Sequence, residues 1–265
     1  MSHILLTISE YIATLTLNQP ELRNPISDIE VVDEFEQILK DLNHNPNVRC
    51  LIITGAGSAF SSGGNIKDML NKQGMFEGDA NSIRENYAKV IQRIPKALYE
   101  FDLPTIAAVN GPAVGAGCDL AMYCDMRIAS TQASFAESFI KVGLIPGDGG
   151  AWILPKIAGF GRAAQMAFTG EAINAQQAYD WGMINELVEP ALLMDAAVSL
   201  AKRIVCNPPQ ALKGTKQLLR AGNQLHLDAI LQLSAAIQAN LHQTSDHIEA
   251  VSALIERRTP TFQGK

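Results

Sequence analysis

A chain of 265 residues, 47% hydrophobic and 18% charged, can bury a core without disulfides or metals, which excludes disordered and collagen-like proteins. Its 21 Lys and Arg against 27 Asp and Glu leave a net charge of −6, so bulk charge draws it to neither nucleic acid nor an anionic membrane. Any anionic ligand must be held by local groups.

No stretch reaches the ~20 uninterrupted apolar residues of a membrane span. The most apolar one, Thr105 to Cys118, is cut by Asn110, Gly111 and Pro112. Met1-Ser-His-Ile4 lacks the charged start and apolar stretch of a secretory signal and reads as mature protein. Cys50, Cys118, Cys124 and Cys206 form no CxxC pair, which suits buried free thiols. The expected location is cytoplasmic.

Ile4 to Ser9 and Ile12 to Leu17 are β-branched runs around Glu10-Tyr11, the pattern of a short antiparallel hairpin. Ser27-Asp-Ile-Glu30 reads as a capping box opening a helix to about Asn43, with Ile29, Val32, Phe35, Ile38, Leu39 and Leu42 at helical spacing. Cys50 to Thr54 and Thr105 to Asn110 are continuous apolar runs ending at glycine, the mark of strands buried on both faces, and Met126 to Ser130 suggests a third. Residues 71–82, rich in Asn, Gly and Asp, read as a mobile loop. Helical patterns over Ser82 to about Phe101, disturbed at Pro95, and over Ala116 to Tyr123 lie between the strands. Repeated β-α-β units and a mostly parallel sheet follow, so the first two thirds are α/β. After Pro190 only helices are expected, over 191–205, 209–221, 225–242 and 246–257.

Ligands of open parallel sheets gather beyond the carboxyl ends of the strands. The turns there read Gly55-Ala-Gly-Ser-Ala-Phe-Ser-Ser-Gly-Gly-Asn-Ile66 and Gly111-Pro-Ala-Val-Gly-Ala-Gly-Cys-Asp-Leu120. Neither is a phosphate-cradling GxxxxGK[ST] loop nor a GxGxxG fingerprint with its distant acid, and the chain has no GxSxG and no metal-spaced His pair. Small residues leave backbone N–H groups accessible, and two such donors aimed at one carbonyl oxygen make an oxyanion hole. Taken singly, each loop reads as no more than a tight turn.

Together with Leu17-Asn-Gln-Pro-Glu-Leu-Arg-Asn24, Pro104-Thr-Ile-Ala-Ala-Val-Asn-Gly111, Gly143-Leu-Ile-Pro-Gly-Asp-Gly-Gly150, Ala178-Tyr-Asp-Trp-Gly-Met-Ile184 and Arg257-Arg-Thr-Pro-Thr-Phe262, these loops resemble the crotonase, or enoyl-CoA hydratase/isomerase, family over nearly the whole chain. The resemblance implies a spiral of β-β-α units over residues 1–190 and a helical trimerisation region over 191–265. It also implies homotrimers or hexamers and an acyl-CoA thioester as substrate, with no metal or redox cofactor. By position it puts the oxyanion donors at the N–H groups of Gly64 and Ala116. CoA-binding stretches fall on Leu22, Arg23 and Asn24 and on the segment containing Ala59, Ser62, Asn65, Ile66 and Lys67. Asn65 replaces the family's frequent Asp, and Leu254 stands where a CoA-shielding Phe is common.

Proton transfer needs a carboxyl group beside the acyl chain. Asp119 occupies the first of the two glutamate positions of the family's hydratases and Phe139 the second, which puts two-glutamate hydration in doubt. Glu137 reads first as a surface glutamate; if its stretch is extended, it shares a face with Phe139. Asp148 matches a catalytic aspartate of other family branches, with helix N-capping as its bland alternative. For Asp119 that alternative is a solvated residue in a helix's first turn. Phe135 to Trp152 also resembles the ring-opened phenylacetyl-CoA isomerase branch, with Asp148 one position late. The expected activity is an enoyl-CoA isomerase shuttling a proton with Asp148 and Asp119. Alternatives are a hydratase using Asp119 and Glu137, and a non-catalytic binding protein of this fold.

Overall fold

The computed structural model describes residues 2–265. Strands β1 (Ile4–Ser9) and β2 (Ile12–Leu17) form the hairpin. Glu10 and Tyr11 both take positive φ, 50° and 65°, as in a type I′ turn whose twist matches its strands. Helix α1 (Ile29–His44) buries Val31, Val32, Phe35, Leu39 and Leu42. Its capping box does not form: the helix starts after Asp28 with no side-chain cap, because the Ser27 hydroxyl is taken by the Asn65 N–H at 3.1 Å.

Strand β3 (Cys50–Gly55) is followed by a short helix α2 (Ile66–Asn71). The next residues are not the free loop their composition suggested, since Met75 is buried and Asn86 Nδ2 donates to the Met75 and Glu77 carbonyls. One expected helix then appears as two, α3 (Ala80–Lys89) and α4 (Arg93–Glu100). The break falls at Val90 to Gln92, and Pro95 sits in the first turn of α4, where it costs no helical hydrogen bond.

Then come β4 (Thr105–Val109), β5 (Pro112–Val114), α5 (Ala116–Tyr123), β6 (Met126–Ser130) and β7 (Ser134–Ala136). After a 3-10 turn over Ser138–Val142 the chain forms α6 (Gly150–Ala158), α7 (Phe160–Thr169), β8 (Ile173–Asn174), α8 (Ala175–Asp180) and β9 (Glu186–Val188). Four helices end it: α9 (Leu193–Val205), α10 (Pro209–Gly222), α11 (Leu227–Leu241) and α12 (Ser245–Glu256).

The larger sheet runs β1-β2-β3-β4-β6-β9, parallel except for β1, and β5-β7-β8 makes a smaller one. Alternation along the strands divides the interior in two. Leu15, Leu51, Ile53, Ala107 and Val109 join α1, α4 and α5 in the main core. Ile12, Cys50, Ile52, Ile106, Ala108 and Ile128 face Leu193, Ala197, Ala201 and Val205, the four-residue stripe of α9. Cys50, Cys118 and Cys124 are buried free thiols, but Cys206, just past the end of α9, is exposed.

Candidate active site

The segment after β3 lies alongside β5: the Phe60 and Ser61 N–H groups donate to the Pro112 carbonyl at 3.1 and 3.2 Å, and the Val114 N–H returns a bond to Ser61 at 3.0 Å. Asn24, 1% exposed and with φ of 56°, pins this segment from the other side. Its Nδ2 donates to the Ala56 and Ala59 carbonyls, both at 2.9 Å, and its Oδ1 accepts the Gln19 N–H at 2.9 Å. The two glycine-rich bends meet at Gly63, which takes φ of +74° and where a Cβ would stand 2.9 Å from the Ala116 nitrogen and closer still to the Val114 carbonyl. Only glycine permits that approach.

The N–H groups of Gly64 and Ala116 donate to no acceptor among the described residues. Both residues line one cavity of about 570 Å³, together with Leu22, Arg23, Ala59, Ser62, Asn65, Ile66 and Lys67. Arg23 and Lys67 are exposed there and neither enters an ion pair among the described residues. Asn65 caps α2, accepting the Lys67 N–H at 3.0 Å. Leu254 is exposed on α12 and does not line this cavity.

Ala116 also borders a second space, only about 10 Å³, walled by Ile26, Ile91 and Ile94 and reached by Asp119 and Asp148. All three candidate carboxylates are buried: Asp119 is 2% exposed, Glu137 0% and Asp148 6%. Neither oxygen of Asp119 or of Glu137 has a hydrogen-bond donor among the described residues, nor does Oδ1 of Asp148.

Each bland reading is thereby corrected. Glu137 is no surface residue: it directly follows the strand β7, and the chain turns there into a 3-10 helix rather than staying extended. Glu137 and Phe139 therefore share no strand face; Phe139 packs against Gly115 at the larger cavity, while Glu137 faces Asp119 and Cys118. Asp148 does not cap α6, because Gly149, at φ of +100°, takes the N-cap position and no side chain caps the helix. Asp119 does lie in the first turn of α5, but sealed from solvent.

Ionisation separates the three. Burial lifts the Asp148 carboxyl to about 6. Burial also lifts Glu137, to about 7, against the neighbouring Asp119 and Cys118, which favour its charged form. Asp119 is held well above the carboxylate range, by burial first and then by the negative charges of Glu137 and Asp148. The Gly150 N–H approaches Asp119 without reaching hydrogen-bond geometry and opposes the rise only weakly. Asp148 is thus the more readily ionised of the two, and Asp119 the more strongly held in its protonated form. Groups pushed apart in this way can work as base and acid on one substrate.

The family model for enoyl-CoA hydratase/isomerase matches residues 7–265. The chain is 36% identical to a 1,2-epoxyphenylacetyl-CoA isomerase of Escherichia coli over the full length of both, and 34% identical to a short-chain-enoyl-CoA hydratase of Clostridium acetobutylicum, covering 97% of this chain and 96% of that one. The crystal structure of an enoyl-CoA hydratase from Bacillus anthracis superposes with a TM-score of 0.93 at 30% identity, all of each chain being covered. With two sheets wound around the meeting of two glycine-rich bends and helices closing the chain, this protein belongs to the enoyl-CoA hydratase/isomerase family and is an acyl-CoA enzyme of the crotonase fold.

Proposed function

We propose that the enzyme is an enoyl-CoA isomerase that moves a double bond along the acyl chain through a thioester enolate. The observation that carries this reading is the pairing of two unengaged N–H groups, of Gly64 and Ala116, with a donor-free carboxyl cluster just beyond Ala116. The thioester oxygen sits between the two amides, which stabilise negative charge as it develops there. Asp148, the carboxylate most readily ionised, removes a proton from the carbon next to the double bond. Asp119, held protonated, delivers one to the far end of the allylic system, and the proton returns from Asp148 to Asp119 before the next turnover. Arg23 and Lys67 meet the phosphates of CoA, while Leu22, Ala59, Ser62, Asn65 and Ile66 line its passage. Phe139, which cannot transfer a proton, favours isomerisation over two-glutamate hydration.

The test is turnover of a 3-enoyl-CoA in water labelled with heavy oxygen, followed by mass spectrometry. An isomerase yields unlabelled 2-enoyl-CoA, and Asp148→Asn abolishes the rate; wild-type rates in both Asp148→Asn and Asp119→Asn overturn the assignment. Hydration by Asp119 and Glu137 is the second reading, favoured by their facing carboxyls and by relatives named as hydratases. It predicts labelled 3-hydroxyacyl-CoA from a 2-enoyl-CoA and no turnover of the 3-enoyl-CoA. Exposed apolar side chains on the last helices, among them Leu219, Leu227, Leu231 and Leu254, support assembly into homotrimers or hexamers.

A further inference from the structure

The small space at Asp119 and Asp148 has a second neighbour. Tyr123 and Asp148 border both it and a third cavity of about 380 Å³ that opens to solvent. Ala116 joins the first cavity to the second, and Tyr123 with Asp148 joins the second to the third, so the three lie in series through the molecule with the carboxyl groups at the waist.

The third cavity is walled by aromatic rings. Tyr99 and Trp152 meet edge to face with centroids 5.5 Å apart, and Tyr123 and Trp152 lie nearly parallel at 6.3 Å. The walls are fixed in place: the Tyr123 hydroxyl donates to the Gly149 carbonyl at 3.1 Å, and the Tyr99 hydroxyl accepts from Gln224 at 2.8 Å. Trp152 is 39% exposed, with the Lys156 ammonium 4.0 Å from its ring centroid. Among the described residues, Asp148 and Glu100 are the carboxylates that line this cavity, and Lys96 lines it too.

We propose that this aromatic vestibule is the subsite for the distal end of the acyl group, and that the preferred substrates carry a planar aromatic ring there, threaded through the waist from the CoA side. The proposal rests on the thioester orientation given above. An apolar space of about 150 Å³ holds a benzene ring, so the vestibule has room for a phenyl group and its linking carbons. Edge-to-face and offset contacts with three rings distinguish a ring from an alkyl chain of equal apolar area. The waist has room for about one water molecule, and admits an acyl chain when Ile91 and Ile94 rotate aside. Ile91 lies in the break between α3 and α4, where its carbonyl accepts the Ile94 N–H at 3.2 Å.

The test measures binding of two saturated, unreactive thioesters, 4-phenylbutanoyl-CoA and octanoyl-CoA, by calorimetry and by tryptophan fluorescence in a Trp181→Phe background that leaves Trp152 as the sole indole. The wild type is expected to bind the phenyl compound about tenfold more tightly, with a fluorescence change. Trp152→Ala and Tyr99→Leu should each erase the preference, and Trp152→Phe should retain most of it. Equal binding of the two thioesters, or a preference that survives both substitutions, overturns the subsite. Ring preference without turnover of any 3-enoyl thioester upholds the subsite and refutes the isomerase reading. Isomerase turnover without ring preference does the reverse.

Discussion

Replacing Asp148 by Asn should stabilise the protein at neutral pH while destroying its activity. The carboxyl is 6% exposed and its Oδ1 has no donor, so folding puts an ionised group where nothing solvates it. Its folded value of about 6 lies above the 3.8 of an unperturbed aspartate. A group with a raised folded pKa contributes most to stability below its unfolded value, and that contribution is lost as pH rises through the folded value. For Asp148 the loss begins near pH 4 and is complete above pH 6. At about 1.4 kcal/mol per tenfold change in proton affinity, it amounts to about 3 kcal/mol. Asn cannot ionise, so the stability gap between Asp148→Asn and wild type should widen by about that amount between pH 4 and pH 7.5, or roughly 6–12 °C in Tm for a chain of this size. Thermal and denaturant unfolding at fixed protein concentration across that range measures the gap directly. A gap that stays constant with pH would mean that Asp148 titrates alike in the folded and unfolded chains, and the cluster's electrostatics would have to be abandoned.

Ala116→Pro removes one N–H at the first residue of α5, a position where proline fits a helix, and should lower kcat/KM about 10²- to 10³-fold while circular dichroism stays unchanged. Arg23→Gln combined with Lys67→Gln should raise KM with little effect on kcat and flatten the salt dependence of kcat/KM, read from steady-state kinetics between 20 and 300 mM salt. Asn24→Ala leaves the Ala56 and Ala59 carbonyls and the Gln19 N–H without their partner, and should cost about 3 kcal/mol in denaturant unfolding.

What the sequence disclosed follows from how local each signal is. Strands β3 and β4 were legible because burial on both faces makes them unbroken apolar runs, and α5 matched its expected bounds because glycines precede it and Cys124 ends its apolar pattern. Strands β5, β7, β8 and β9 went unseen, being two or three residues long and shorter than any period that could mark them. Ser27 and Glu30 formed a good capping box on paper, yet a backbone N–H nearly forty residues away claimed the hydroxyl. Glu137 is the sharpest case. Nothing near it in sequence marks a buried carboxylate; its burial is decided by the pairing of β7 with β5 and β8 and the turn that follows, and local composition argued for the surface. The role of Asn24 was equally hidden, since its partners Ala56 and Ala59 come from beyond β3.

Three carboxyl groups in a space nearly free of water cannot all be charged at once, and this limits how protons are shared. Asp148 carries the first negative charge, Glu137 takes the next as pH passes about 7, and Asp119 stays protonated longest because it feels both. In the proposed mechanism Glu137 acts through Asp119 as a positioning residue, its charge keeping the proposed acid protonated at a pH where Asp148 serves as the base. Glu137→Gln removes that charge, and the window between the two groups should narrow from the alkaline side. The rising limb of kcat against pH, set by Asp148, should stay near 6, while the falling limb should move down by about one pH unit. A structural role for Glu137 would lower kcat without displacing either limb. If the rising limb moves and the falling limb does not, the base is Glu137 and the roles of the carboxyl groups must be reassigned.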